Sequence, residues 1–109
     1  MTATLTAHHI LAQLVAFDTT SAGSNMALIE WVEAYLIPYG AHLERVHETN
    51  EQGVNKSALL VRVGPDVAGG IVLSGHTDVV PVTDQQWHGG VGPETAFTLS
   101  ERGGRLYGR

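Results

Sequence analysis

The stretch Gly69 to Pro81, GGIVLSGHTDVVP, constrains the fold more than any other part of the chain. Ile71, Val72 and Leu73 form a continuous apolar run rich in β-branched residues, the pattern of a strand covered on both faces, and Gly75 ends it. Side chains of an extended backbone alternate, so His76 and Asp78 project the same way with Cα atoms roughly 6 to 7 Å apart. A strand end that presents an imidazole beside a carboxylate can supply a metal ligand together with the acidic group that orients it. His76 is therefore the candidate ligand and Asp78 its candidate support. The plainer alternative for His-x-Asp alone is a loop histidine beside a turn aspartate.

Composition narrows the chemistry. A chain of 109 residues with 43% hydrophobic and 16% charged residues is sized and patterned for one modest domain. Eleven acidic against six basic residues give a formal charge of -5, and Lys56 is the only lysine, so no basic patch is available for nucleic acid. With no cysteine, neither a disulfide nor a thiolate site can form, and zinc would have to be held by His, Asp or Glu. The N-terminus lacks the basic region of a signal peptide, and no apolar stretch approaches the ~18 residues of a membrane span. A cytoplasmic protein is the expectation.

Along the chain, Ile10, Leu11, Leu14 and Val15 form one stripe of a 3.6-residue period and predict a helix over 5–17. His8 and His9 near its start diverge by about 100° and cannot share one ion from a single face. Ser24 or Asn25 is a fair N-cap for a second helix striped by Leu28, Ile29, Val32, Tyr35 and Leu36 and closed by Pro38 and Gly40. His42 to Glu48 and Ala58 to Val63 read as an antiparallel hairpin around the Asn50 to Gly53 turn. An odd spacing puts His42 and His47 on opposite faces of its first strand. Trp87, His88 and three glycines then mark a loop between Pro81 and Pro93, with His88 a minor ligand candidate. Phe97 to Leu99 and Arg105 to Tyr107 are expected as two final strands. No phosphate-binding glycine pattern occurs.

LSGHTDVVPV, Trp87 and the C-terminal FTLSERGGRLYGR together closely resemble the zinc-dependent amidohydrolases and exopeptidases of the acetylornithine deacetylase, succinyl-diaminopimelate desuccinylase and carboxypeptidase family. AFDTTS (Ala16 to Ser21) and NKSALLVRVGP (Asn55 to Pro65) extend the resemblance upstream and lean towards acetylornithine deacetylase. WHGGVGPETAF departs from it, being longer than the family's Trp-x-x-Asp-Pro-Phe. The resemblance implies an α/β fold, a mixed sheet flanked by helices, forming the N-terminal portion of a zinc exopeptidase-like catalytic domain over 1–109. It implies that His76 is a metal ligand and Asp78 a catalytic supporting carboxylate, that the cofactor is two zinc ions or cobalt, and that the substrate is a small N-acyl amino acid such as N-acetylornithine. It further implies a homodimer at full length, with the lid domain, bridging carboxylate and general base in segments beyond Arg109. The 109 residues alone are accordingly expected to be inactive.

Two other readings use the same residues. Ser74, His76 and Asp78 contain the members of a nucleophilic triad, but strand neighbours stand roughly 7 Å apart where a serine and its base must approach within about 3 Å. The other is a non-catalytic domain in which GHTD is a structural turn, favoured to the extent that no other ligand of comparable quality appears. Asp84 and Glu94 could reach His76 from the following loop, but nothing in their spacing recommends them.

Overall fold

The computed structural model describes residues 4–83, 85–87, 90–91 and 93–109, with the backbone alone at 86–87, 90–91 and 93–94. Helix α1, Ala7–Val15, starts where Thr6, in extended conformation, accepts the His9 N–H at 3.2 Å on its hydroxyl. Helix α2, Met26–Leu36, buries Leu28 and Ile29 and tightens into a 3₁₀ turn, Ile37–Tyr39. Pro38 forces that change, because it has no N–H and its ring clashes with the preceding turn; Gly40, at φ 74°, reverses the chain. Both expected helices are present. Asn25 is the N-cap residue, one of the two expected, but its side chain makes no capping bond, and the Ser24 hydroxyl accepts the Met26 N–H at 3.2 Å.

Strands β1, His42–Thr49, and β2, Asn55–Arg62, form the expected antiparallel hairpin, in register from His42 opposite Arg62 to Thr49 opposite Asn55. Its turn is organised by Asn50, whose side-chain oxygen accepts the N–H groups of Gln52 and Val54 at 3.0 and 2.9 Å. Strand β2 begins earlier than its apolar run, because the polar residues Asn55 to Ser57 complete the ladder opposite His47 to Thr49. Arg45 of β1 grips Glu33 of α2 through both carboxylate oxygens, the Nε bond at 2.9 Å, and so fixes the hairpin against the helix.

The expected single mixed sheet does not occur among the described residues. Three separate two-stranded antiparallel ladders are present: β1–β2, β3 (Gln86–Trp87) with β4 (Gly90–Val91), and β5 (Ser100–Arg102) with β6 (Arg105–Tyr107). The only parallel contact among these residues is a bridge between Thr20 and Val79. Ile71 to Leu73 is the largest departure from expectation. It lies outside every ladder, and its side chains are 89 to 92% exposed where burial on both faces was expected. A strand joins a sheet only where a neighbour offers a free edge, and here each of the three hairpins pairs within itself. An open groove of about 820 Å³ separates residues 69–73 from the β2 edge at Leu59 to Val63. The expected strand at Phe97 to Leu99 also shifts, to Ser100–Arg102, because Pro93 opens a short helix, α3 (Pro93–Ala96), that carries the chain through Phe97. Gly103 and Gly104, both at positive φ, then make the tight turn into β6.

The core is small and comes from distant parts of the chain: Val15, Leu28, Ile29, Val82 and Ala96. The C-terminus closes on it. The Arg109 N–H donates to the Ala96 carbonyl at 2.8 Å, and Gly108 lies so near Val15 that a Cβ there would stand 2.7 Å from a valine methyl. On the outer side of α2, Phe17, Trp31, Tyr35 and Tyr39 form a chain of rings with Trp31 and Tyr35 stacked at 5.5 Å.

Candidate functional site

His76 and Asp78 do share a face. The imidazole Nδ1 stands 2.7 Å from the Asp78 carbonyl oxygen and 3.1 Å from its Oδ1, so both groups meet within one short stretch of chain. Each is open to solvent, with side chains 83 and 54% exposed. Both atoms facing Nδ1 are acceptors, which makes Nδ1 a proton-bearing nitrogen, so that in the neutral ring the lone pair is on Nε2.

The segment carrying this pair is held from three directions. Thr19 donates its hydroxyl to the Thr77 carbonyl at 2.5 Å, and the bridge adds Val79 N–H to the Thr19 carbonyl at 3.0 Å and Ser21 N–H to the Val79 carbonyl at 2.9 Å. Asn25, buried at the start of α2, uses its whole side-chain amide: it accepts the Ser57 N–H at 3.0 Å and donates to the Ser57 carbonyl at 2.8 Å and the Thr77 hydroxyl at 2.9 Å. Finally the Ser21 hydroxyl reaches Asp78 Oδ2 at 2.9 Å. That bond, and after it the bond from His76, holds the Asp78 carboxyl below the ordinary aspartate range. Thr19, Ser21 and Asn25 were not singled out by sequence reasoning as parts of the site. The signal was the density of hydroxyl and amide groups between 18 and 25; what it lacked was their partners, 32 to 58 residues away.

Beneath His76 lies an apolar hollow of about 400 Å³ whose walls include Leu11 and Leu14 of α1, Val32 of α2, and Val79. Ser74 is not drawn into a nucleophilic relay: a triad would also turn Nδ1 to the aspartate, but among the described residues no hydrogen bond joins the Ser74 hydroxyl to His76. His42 and His47 belong to β1, where His47 Nδ1 pairs with the Ser57 hydroxyl at 3.0 Å. His88 and Asp84 lie outside the described residues, as does the side chain of Glu94. Among the described residues no three His, Cys, Asp or Glu side chains converge as a metal site would need, so His76 and Asp78 fit a ligand and its support but not a complete centre. Among the same residues no helix is long and apolar enough to cross a membrane.

Comparison with known proteins gives this arrangement a context. The chain is 38% identical to acetylornithine deacetylase from Myxococcus xanthus over 101 residues, which is 91% of this chain and 25% of that enzyme. It is 39% identical to the Edwardsiella ictaluri enzyme of the same name over 85 residues, 78% of this chain and 20% of the relative. The Pectobacterium carotovorum enzyme is 34% identical over 93 residues, 85% of this chain and 22% of the relative. No family model matches the chain, and no solved structure does. The chain is thus a homologue of proteins named acetylornithine deacetylase, and it spans about a fifth to a quarter of the length of the relatives it matches.

Proposed function

We propose that the enzyme to which this sequence belongs removes the acyl group from an N-acyl amino acid, with N-acetylornithine split to ornithine and acetate in arginine biosynthesis. His76 is the metal ligand through Nε2, and Asp78 is the carboxylate that orients it. The metal is zinc, two ions in the whole enzyme, with cobalt able to replace it. When bound, such ions polarise an amide carbonyl and lower the pKa of a bound water to about 7. The contribution of these residues is the orientation of one ligand: an imidazole fixed through Nδ1, with Nε2 free, at an open face. The observation that carries the reading is this His76 and Asp78 pair, found in a chain similar over most of its length to acetylornithine deacetylases.

Placement in the cytoplasm and a homodimeric whole enzyme belong to the same reading, as does assignment of residues 1–109 to the N-terminal part of the catalytic domain. Among the described residues one imidazole stands at this site, where a zinc site takes three or four protein ligands, so the 109-residue chain by itself is expected to bind zinc weakly and turn nothing over. The test joins the chain to the part of the M. xanthus enzyme that follows the matched region and assays N-acetylornithine and N-succinyl-diaminopimelate with zinc or cobalt. Hydrolysis of the acetyl substrate is expected, nearly abolished by His76→Ala and lowered about 10 to 100-fold by Asp78→Ala. Full activity in either variant refutes the roles. Preference for the succinyl compound would instead assign desuccinylase activity.

A further inference from the structure

We propose that Ser21 is a positioning residue for His76: by holding the Asp78 carboxylate it adds a second acceptor to the Asp78 carbonyl at Nδ1, strengthens the Nδ1–H tautomer and aims Nε2 outward. The inference rests on the reading of His76 as a residue that works through Nε2.

The Ser21 hydroxyl has one proton and two acceptors within reach, Asp78 Oδ2 at 2.9 Å and the Val79 carbonyl at 3.2 Å. The Val79 carbonyl already accepts the Ser21 N–H at 2.9 Å. The proton therefore goes to the nearer, charged oxygen. Asp78 is left with its two oxygens divided, Oδ2 to Ser21 and Oδ1 to His76. A half-exposed aspartate without that second anchor rotates about χ2, and Oδ1 then leaves Nδ1 for water, so that of the two acceptors only the Asp78 carbonyl, 2.7 Å away, still favours a proton there.

Ser21 can act as the anchor because its own backbone is tied on every side. Its N–H is held by Val79, and its carbonyl accepts the Lys56 ammonium. The residue before it is locked by Asp18, whose Oδ1 accepts both the Thr20 N–H at 3.1 Å and the Thr20 hydroxyl at 2.6 Å. Order thus passes from a fixed loop through a serine hydroxyl to a carboxylate and an exposed imidazole. Neutral imidazole free in water has no such bias towards Nδ1–H.

The experiment uses the whole 109-residue chain with ¹⁵N-labelled histidine, observed by long-range ¹H–¹⁵N correlation at pH 8, with His76 assigned by loss of its signals in His76→Gln. Wild-type His76 is expected to be mainly Nδ1–H, unlike the exposed His8. Ser21→Thr and Ser21→Val are compared because they fill the same space and differ only in the hydroxyl, so effects on folding are common to both. Ser21→Thr should keep the tautomer ratio. Ser21→Val should lower it by about fivefold, the factor that one hydrogen bond of ordinary strength sets. Equal ratios in the two variants overturn the proposal while leaving the function of His76 standing. A wild-type His76 that is mainly Nε2–H overturns both.

Discussion

Replacing Asn25 by alanine tests how the site segment is attached to the rest of the fold. Asn25 and Ser57 are buried, 8 and 6% exposed, and the Asn25 amide pairs with both backbone groups of Ser57 much as a neighbouring strand would. Its second N–H continues to the Thr77 hydroxyl. Three hydrogen bonds at about 1 kcal/mol each give a loss of about 3 kcal/mol, at the upper end of what one side chain costs because the Ser57 N–H and C=O are left desolvated. Urea unfolding followed by fluorescence of the stacked Trp31 measures this, and amide exchange at Ser57 reports the local effect. Asn25→Ser and Asn25→Asp add the discriminating comparison. Serine and aspartate cap helices about as well as asparagine, so a capping role predicts little change in either. The clamp predicts that both lose most of the 3 kcal/mol, since serine cannot span the two groups and aspartate sets a second acceptor against the Ser57 carbonyl. A loss below about 0.5 kcal/mol in Asn25→Ala, or full stability in the aspartate variant, refutes the clamp.

Gly108→Ala should destabilise the chain by about 1 to 3 kcal/mol, because the new methyl meets a stiff valine side chain, and Val15→Ala in the same chain should recover part of the loss in thermal unfolding. The bond from Arg45 holds the Glu33 carboxyl below its usual range; a depressed folded value means stability present above the ordinary glutamate pKa and lost as pH falls through the folded one. The difference in urea midpoint between wild type and Glu33→Gln should therefore be full at neutral pH and close below about pH 4. A difference that grows on acidification would contradict the ion pair. Val72→Thr should change stability by less than about 0.5 kcal/mol, since its side chain is 91% exposed; a loss above 1.5 kcal/mol would show that Val72 is buried.

The helices were legible because the Leu28 and Ile29 stripe and the punctuation at Pro38 and Gly40 are local signals, and α2 obeys them. The hairpin was legible for the same reason, its turn being written in Asn50 and Gly53. Ile71 to Leu73 was misread as a covered strand because an apolar run states what a segment would bury and not what stands beside it. His76 and Asp78 were legible as a pair because the period of two along extended chain needs no tertiary knowledge. Ser21 and Asn25 were not, since each acts on a partner more than fifty positions away in sequence and is, by local signs, a turn residue or a helix cap. Asn25 shows the competition directly: the cap was available, and the two unpaired groups of Ser57 on the β2 edge took the side chain instead.

The bridge between Thr20 and Val79 also orders events in time. Ser21 and Val79 are 58 residues apart, whereas Thr49 and Asn55, which close the hairpin, are only 6 apart. Closing the longer loop costs about 2 kcal/mol more in chain entropy. The hairpin can form within microseconds from neighbours alone, while the bridge must wait for α1, α2 and the chain beyond β2 to gather. Assembly of the histidine site is accordingly a late step, and in the native protein its opening should precede that of the hairpin: the amides of Ser21 and Val79 should exchange through fluctuations that leave the hairpin amides protected.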